Sequence, residues 1–148
     1  MLKRFALPLV VLVAALIYLR EPAWMAGVTS GLGDWNGPAG ARFRWTAGHA
    51  SFFVPSDAAA ITLPLKAMFA TPGDRLVTVD VSVDDRWLAA IDLPDPSAWV
   101  RTTLPLPRKT TSRRLRRIDL RVNRAMGVLN RGVQLGEIEL QRTRSAGL

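Results

Sequence analysis

Val77, Val79, Val81 and Val83 alternate with Thr78, Asp80, Ser82 and Asp84, the period of two that marks a strand with one buried and one wet face. Asp84, Asp85 and Arg86 supply turn chemistry before Trp87 to Ile91, so residues 76–92 are expected to form a hairpin. The same alternation picks out Arg42 to Thr46, Ser51 to Val54, Ile61 to Leu65, Trp99 to Leu106 and Arg117 to Val122. Val133 with Leu135, then Ile138 with Leu140, give a last strand interrupted at Gly136. Helical turns are expected at 58–60, 67–70 and 123–129. Pro64, Pro105 and Pro107 lack the N–H that a ladder needs, which sets their strands at edges or ends them there. Seven or eight short strands without an amphipathic helix predict an all-β fold, an antiparallel, jelly-roll-like β-sandwich.

The first twenty residues do not follow this pattern. Lys3 and Arg4 precede an uncharged run from Phe5 to Leu19 that closes at Arg20, the layout of a segment that sends the following chain into or across a membrane. At about 1.5 Å of rise per residue the run spans roughly 22 Å, short of a hydrocarbon core near 30 Å. Snorkelling by Lys3, Arg4 and Arg20 can cover the difference. Cleavage sites are poor: cutting after Ala26 puts Trp24 in the site, and cutting after Ala15 consumes most of the run. Residues 1–20 are therefore read as a single-pass membrane anchor, with a removed signal segment and a secreted product as the alternative. Either way the rest is expected outside the cytoplasm, and the Ala, Arg, Leu and Val usage suggests a bacterial inner membrane with a periplasmic domain. Residues 21–41, broken by five glycines and by Pro22 and Pro38, read as a linker with Trp24 at the membrane interface, and residues 42–148 as the sandwich.

The net charge of +8 is uneven, because three cations sit in the first twenty residues and all twelve acids follow. Asp74, Asp80, Asp84, Asp85, Asp92 and Asp95 crowd the middle, and a basic stretch from Arg101 to Arg124 follows, so the two zones are expected to face each other as a ladder. Within the basic stretch Arg113, Arg114, Arg116 and Arg117 read as a loop entering a strand, available to an anionic surface such as lipid headgroups or an acidic glycan. Nucleic acid is not an expected partner for an exported domain without a nucleic-acid fold signature. The absence of cysteine excludes disulfides, thiolate chemistry and lipoprotein attachment.

Catalytic chemistry finds little to stand on. His49 is the single histidine and no acid shares ligand spacing with it. Asp84 and Asp85 would point to opposite faces of a strand, unlike the paired carboxylates of a glycosidase. Calcium at Asp84, Asp85 or the Asp92 and Asp95 pair stays open, since loop oxygens suit it. No nucleophile elbow and no phosphate-cradling glycine loop occurs. No catalytic residue, resident metal or cofactor is expected. Sugar rings stack their C–H faces on exposed indoles, which makes Trp87, Trp35 and Trp99 the candidate ligand-binding residues, while Trp45, within a strand, is expected in the core.

Phe43-Arg44-Trp45-Thr46, Phe53-Val54-Pro55, Ile61-Thr62-Leu63-Pro64-Leu65, the Val77 to Val83 strand, Trp99 and the Arg131 to Leu140 ending together resemble a group of bacterial extracytoplasmic sandwich domains. The resemblance, over about residues 42–141, implies a fold like carbohydrate-binding jelly rolls and association with membrane glycosyltransferases of envelope polysaccharide synthesis. It supplies no binding residues. The expectation is thus a non-catalytic accessory module for polysaccharide synthesis or export machinery, with direct recognition of an envelope glycan as the alternative and an enzyme as the least favoured reading.

Overall fold

The computed structural model describes residues 3–19, 22–68, 76–108 and 113–142. Helix α1 (Lys3–Leu19) leads through a 3-10 turn (Ala23–Gly27) into β1 (Thr29–Leu32), β2 (Phe43–Pro55), β3 (Ala58–Lys66), β4 (Val77–Val83), β5 (Arg86–Leu93), β6 (Val100–Pro105), β7 (Leu115–Val122), β8 (Arg131–Gly136) and β9 (Glu139–Arg142). Every pairing is antiparallel. One sheet runs β1-β2-β7-β4-β5 and the other β2-β8-β3-β6, with β9 extending β8 along the same side of β3. β2 belongs to both: Phe43 to Ala47 pair with β8 and His49 to Pro55 with β7.

Alternation along each strand builds the core. Ala50, Phe52 and Val54 of β2, Ile61, Leu63 and Leu65 of β3, the four valines of β4, Ile91 and Leu93 of β5, Ile118 and Leu120 of β7, and Val133 and Leu135 of β8 are buried together between the sheets. Thr46 is buried among them because its Oγ1 accepts the Val133 N–H at 2.9 Å. Gly132 lies so close to β2 that a Cβ there would stand 2.7 Å from the Ala47 carbonyl oxygen.

The expected hairpin forms, with Asp84 (φ 50°) and Asp85 (φ 66°) both left-handed as a type I′ turn requires. Asp84 holds that conformation by three bonds to β7. Its carboxylate accepts from the Arg117 N–H and from Arg116 Nε, each at 3.0 Å, and its own N–H donates to the Arg117 carbonyl at 2.9 Å. The acidic and basic zones do face each other here, as the charge pattern predicts.

Several expectations are corrected. The linker supplies β1, which pairs with β2. The two segments at 42–46 and 51–54 are one strand that bends between the sheets. Residues 58–60 are strand, residues 123–129 are an irregular connection with a Met126–Arg131 bridge that closes into a turn from Gly127, and positions 69 and 70 of the third expected helical turn lie outside the described residues. Pro105 ends the edge strand β6, but the strand of Pro64 is interior. It tolerates proline because Thr62 pairs with Glu139 and Leu65 with Leu135, so Pro64 stands opposite the break between β8 and β9. α1 is 17 residues long, and among the described residues no helix is long and apolar enough to cross a membrane. Its residues Leu9, Val10, Val11, Leu12 and Val13 are all exposed, so the full circumference over that turn is apolar and uncovered.

Candidate functional site

Simple alternation back from Leu93 through Ile91 and Ala89 would turn Trp87 into the core. The ladder slips instead: Val81 pairs with Ala89 but Ser82 pairs with Trp87, leaving Leu88 as an extra residue. That bulge turns Trp87 outward, where it is 67% exposed, and re-aiming one side chain is what a bulge does.

Register across the same outer face then fixes its neighbours. Asp80 stands opposite Arg121, and Arg121 opposite His49, in one row; Ser82, Asp119 and Ser51 form the next. Trp87 Nε1 donates to Asp80 Oδ1 at 3.4 Å. Asp119 is buried and serves two partners, His49 Nε2 at 3.2 Å from Oδ1 and Arg117 Nε donating to Oδ2 at 2.9 Å. Arg117 also pairs with Asp85. The bond to Asp119, then its charge, holds the Arg117 guanidinium above its ordinary pKa. Together His49, Asp80, Ser82, Asp85, Trp87, Arg117, Asp119 and Arg121 line a groove of about 340 Å³ with an indole on one side and fixed donors and acceptors on the other. No group of three or more metal-ligating side chains gathers among the described residues. The Asp84 and Asp85 carboxylates, candidates for calcium, face Arg116 and Arg117 instead.

The three candidate tryptophans lie apart. Trp35 has the Arg44 guanidinium 4.3 Å from its ring centre and borders an apolar groove with Phe53, Ile138 and Leu140. Burial lowers the Arg44 pKa, and its Nε has no hydrogen-bond partner. Trp99 stands on the outer face of the other sheet, beside Pro64 and Gly136. Trp45 is not in the core: it is half-buried on that same outer face, edge-on to Phe43 at 6.0 Å.

The basic run divides too. Arg113 and Arg114 are exposed, but Arg116 shares the inward parity of Ile118 and Leu120, so it is buried, bonded to Asp84 and donating to the Pro107 carbonyl at 2.6 Å. Arg117 belongs to the groove. The loop reading is thereby corrected for these two, since β7 begins at Leu115. Sequence reasoning missed Asp80, Ser82, Asp119 and Arg121 as a set. The signal was present, as all four are the polar positions of two alternating strands, but strand order was needed to bring β4 beside β7 and β7 beside β2.

No family model matches this chain, and no curated protein matches it. Solved structures do. A glycoside hydrolase family 43 arabinoxylan arabinofuranohydrolase from Bacillus subtilis, in complex with cellotetraose, matches at 8% identity over 78% of this chain and 24% of its own, with a TM-score of 0.44. A family two carbohydrate esterase from Cellvibrio japonicus matches at 15% identity over 78% of this chain and 31% of its own, with a TM-score of 0.45. The chain thus spans under a third of the length of these two. CsCBM6-3 from Clostridium stercorarium, in complex with cellobiose, matches at 12% identity over 83% of this chain and 92% of its own, also with a TM-score of 0.45. At such identities and scores the likeness carries no function across.

Proposed function

We propose that this chain is a non-catalytic envelope module, anchored in a membrane through α1, that binds a saccharide on the outer face of the β1-β2-β7-β4-β5 sheet. The observation that carries this reading is the bulge that exposes Trp87 beside Asp80, Ser82, Asp119 and Arg121. An exposed indole takes the C–H face of a pyranose, and carboxylates, a hydroxyl and a guanidinium take its hydroxyls. Anchoring draws support from the uncovered apolar circumference of α1 and from Lys3 and Arg4 in its first turn, which favour a cytoplasmic N-terminus and an extracytoplasmic, periplasmic sandwich. Since α1 falls short of a full span, this reading adds snorkelling by Lys3, Arg4 and Arg20 and local bilayer thinning. Register adds an orientation. β1 runs back from Leu32 opposite Thr46 to Thr29 opposite Phe52, so the chain arrives from α1 at the Pro55 end of β2, where Leu115 begins β7 and where Arg113 and Arg114 lie. Anionic headgroups suit that end.

The test is a glycan array probed with the full chain in detergent, beside its Trp87→Ala variant, with alkaline extraction of native membranes to follow α1. The expected result is a saturable saccharide-binding component weakened at least tenfold by Trp87→Ala with an unchanged melting temperature, and a chain that stays with the membrane. Binding indifferent to Trp87→Ala, or no binding, overturns the site.

A second reading, an accessory subunit on membrane glycosyltransferase or polysaccharide-export machinery, is favoured by the turn after β7. Met126, Val128 and Leu129 project into solvent there, at the end of the sheet away from the anchor, so the partner they fit is one whose extracytoplasmic part rises above the membrane surface. A photocrosslinker at Val128 that captures one membrane protein reproducibly, beside a blank array, would replace the first reading with this one.

A further inference from the structure

On the other sheet, alternation again decides what faces outward. Ile61, Leu63 and Leu65 point into the core, so Thr62 and Pro64 of β3 face out, with Thr103 and Arg101 opposite them on β6, and Glu139 opposite Thr62 on β9. Gly136, opposite Phe43 on β2, completes the row. Trp99, just before β6, stands over it and is 42% exposed. Its orientation is set by an aromatic row: Phe43 lies 6.4 Å from Trp99 at a tilt, and Trp45 packs edge-on against Phe43.

The result is a groove of about 320 Å³, inside the roughly 300–1,000 Å³ range of small-ligand sites. Pro64 and Gly136 make its floor. A Cβ on Gly136 would come within 3.1 Å of the Pro64 ring and 3.6 Å of the Trp99 indole, so the glycine keeps the indole's near side open. Arg42, Arg101, Glu137 and Glu139 line it, with Arg101 paired to Glu139. Two guanidiniums and two carboxylates leave the groove without net charge. An indole wall, a flat apolar floor and balanced donors and acceptors suit a neutral pyranose, whose hydroxyls both donate and accept.

We infer that the Trp99 groove is a second saccharide site, selective for neutral sugars and independent of the Trp87 groove. This extends the saccharide reading above and rests on it. Because the two grooves lie on the outer faces of opposed sheets, they look in opposite directions, and one chain bridges two glycan strands. Simultaneous engagement of both grooves would raise avidity without any new contact.

The experiment uses the full chain in detergent, its Trp87→Ala, Trp99→Ala and double variants, and Glu137→Gln as a rim change that leaves the aromatic row in place. The probes are cellotetraose, β-1,4-galactotriose and a neutral oligosaccharide array, with stoichiometry read by native mass spectrometry. The expected result is two saccharides per chain, one in each single tryptophan variant and none in the double, with Glu137→Gln weakening only the site that Trp87→Ala leaves. One saccharide per chain, lost in Trp87→Ala and untouched by both Trp99→Ala and Glu137→Gln, overturns this inference and leaves the first site standing. Binding lost in Trp99→Ala alone supports the Trp99 groove and overturns the Trp87 groove. Absence of binding to every probe overturns both.

Discussion

Truncating Arg116 separates structure from surface in the basic run. Arg116 is 6% exposed and donates to Asp84 Oδ2 at 3.0 Å and to the Pro107 carbonyl at 2.6 Å. A hydrogen bond involving a charged group contributes about 1.5–3 kcal/mol. Breaking a fully buried pair costs about 3–5 kcal/mol because the stranded charge stays dry. Here the stranded charge is partly wet: the Asp84 side chain is 37% exposed and keeps the Arg117 N–H. Solvent screening therefore pulls the expected loss for Arg116→Ala to about 2–3 kcal/mol. For a domain of this size that lowers Tm by about 6–12 °C. The assay is thermal and urea denaturation of the full chain followed by circular dichroism, with the exposed Arg113→Ala expected within about 0.5 kcal/mol of the parent. Asp84→Asn keeps a residue that accepts the left-handed turn, so its cycle with Arg116→Ala isolates the pair, with an expected coupling above about 1 kcal/mol. An Arg116→Ala variant as stable as Arg113→Ala refutes the reasoning.

Three further outcomes are expected. Asp85→Gly loses an exposed pair with Arg117, worth about 0–1 kcal/mol, but relieves a left-handed residue, so denaturant titration should find it neutral or up to about 1 kcal/mol more stable; a larger loss would show that the pair dominates. Gly132→Ala sets a Cβ 2.7 Å from the Ala47 oxygen and 2.9 Å from Val122 Cγ2, and should destabilise by about 1–3 kcal/mol in the same assay; an unchanged midpoint would contradict the close approach of β8 to β2. Asp95 accepts bonds from the Ser97 hydroxyl and N–H, which lower its pKa, so its contribution to stability is present above the ordinary carboxylate pKa and lost as pH falls through the lowered folded value. A carboxyl NMR titration should place Asp95 below the ordinary aspartate range, with a rise in Ser97→Ala, and an unshifted value would remove the bond.

How much of this was legible in the sequence depends on whether a feature is local. The Val77 to Val83 strand and its turn declare themselves, because alternation and turn chemistry act over a few residues. The break between β8 and β9 is legible at Gly136 for the same reason. Trp87 can be named a candidate from its place beside the acidic turn, but what exposes it is not legible: alternation alone puts Trp87 on one face with Ala89, Ile91 and Leu93, and only the pairing of Ser82 with Trp87 reveals the extra residue. Arg116 shows the converse. Its type and its basic neighbours say surface, yet its parity with Ile118 turns it inward, where Asp84 and Pro107 from other segments receive it. Both outcomes depend on partners distant along the chain, which no local pattern encodes.

β2, the strand shared by both sheets, also sets the timing of folding. Its partners come late: His49 pairs with Arg121 and Phe43 with Gly136. A chain emerging from its N-terminus can close the β4-β5 hairpin early, but β2 waits with one edge of each half unfilled until β7 and β8 have appeared. Closing such long loops is slow, and unpaired edges invite wrong pairing meanwhile. Neither sheet can mature without the other, so the sandwich has no stable half, and a nascent chain that stops short of residue 136 is a substrate for chaperones and proteases rather than a smaller domain.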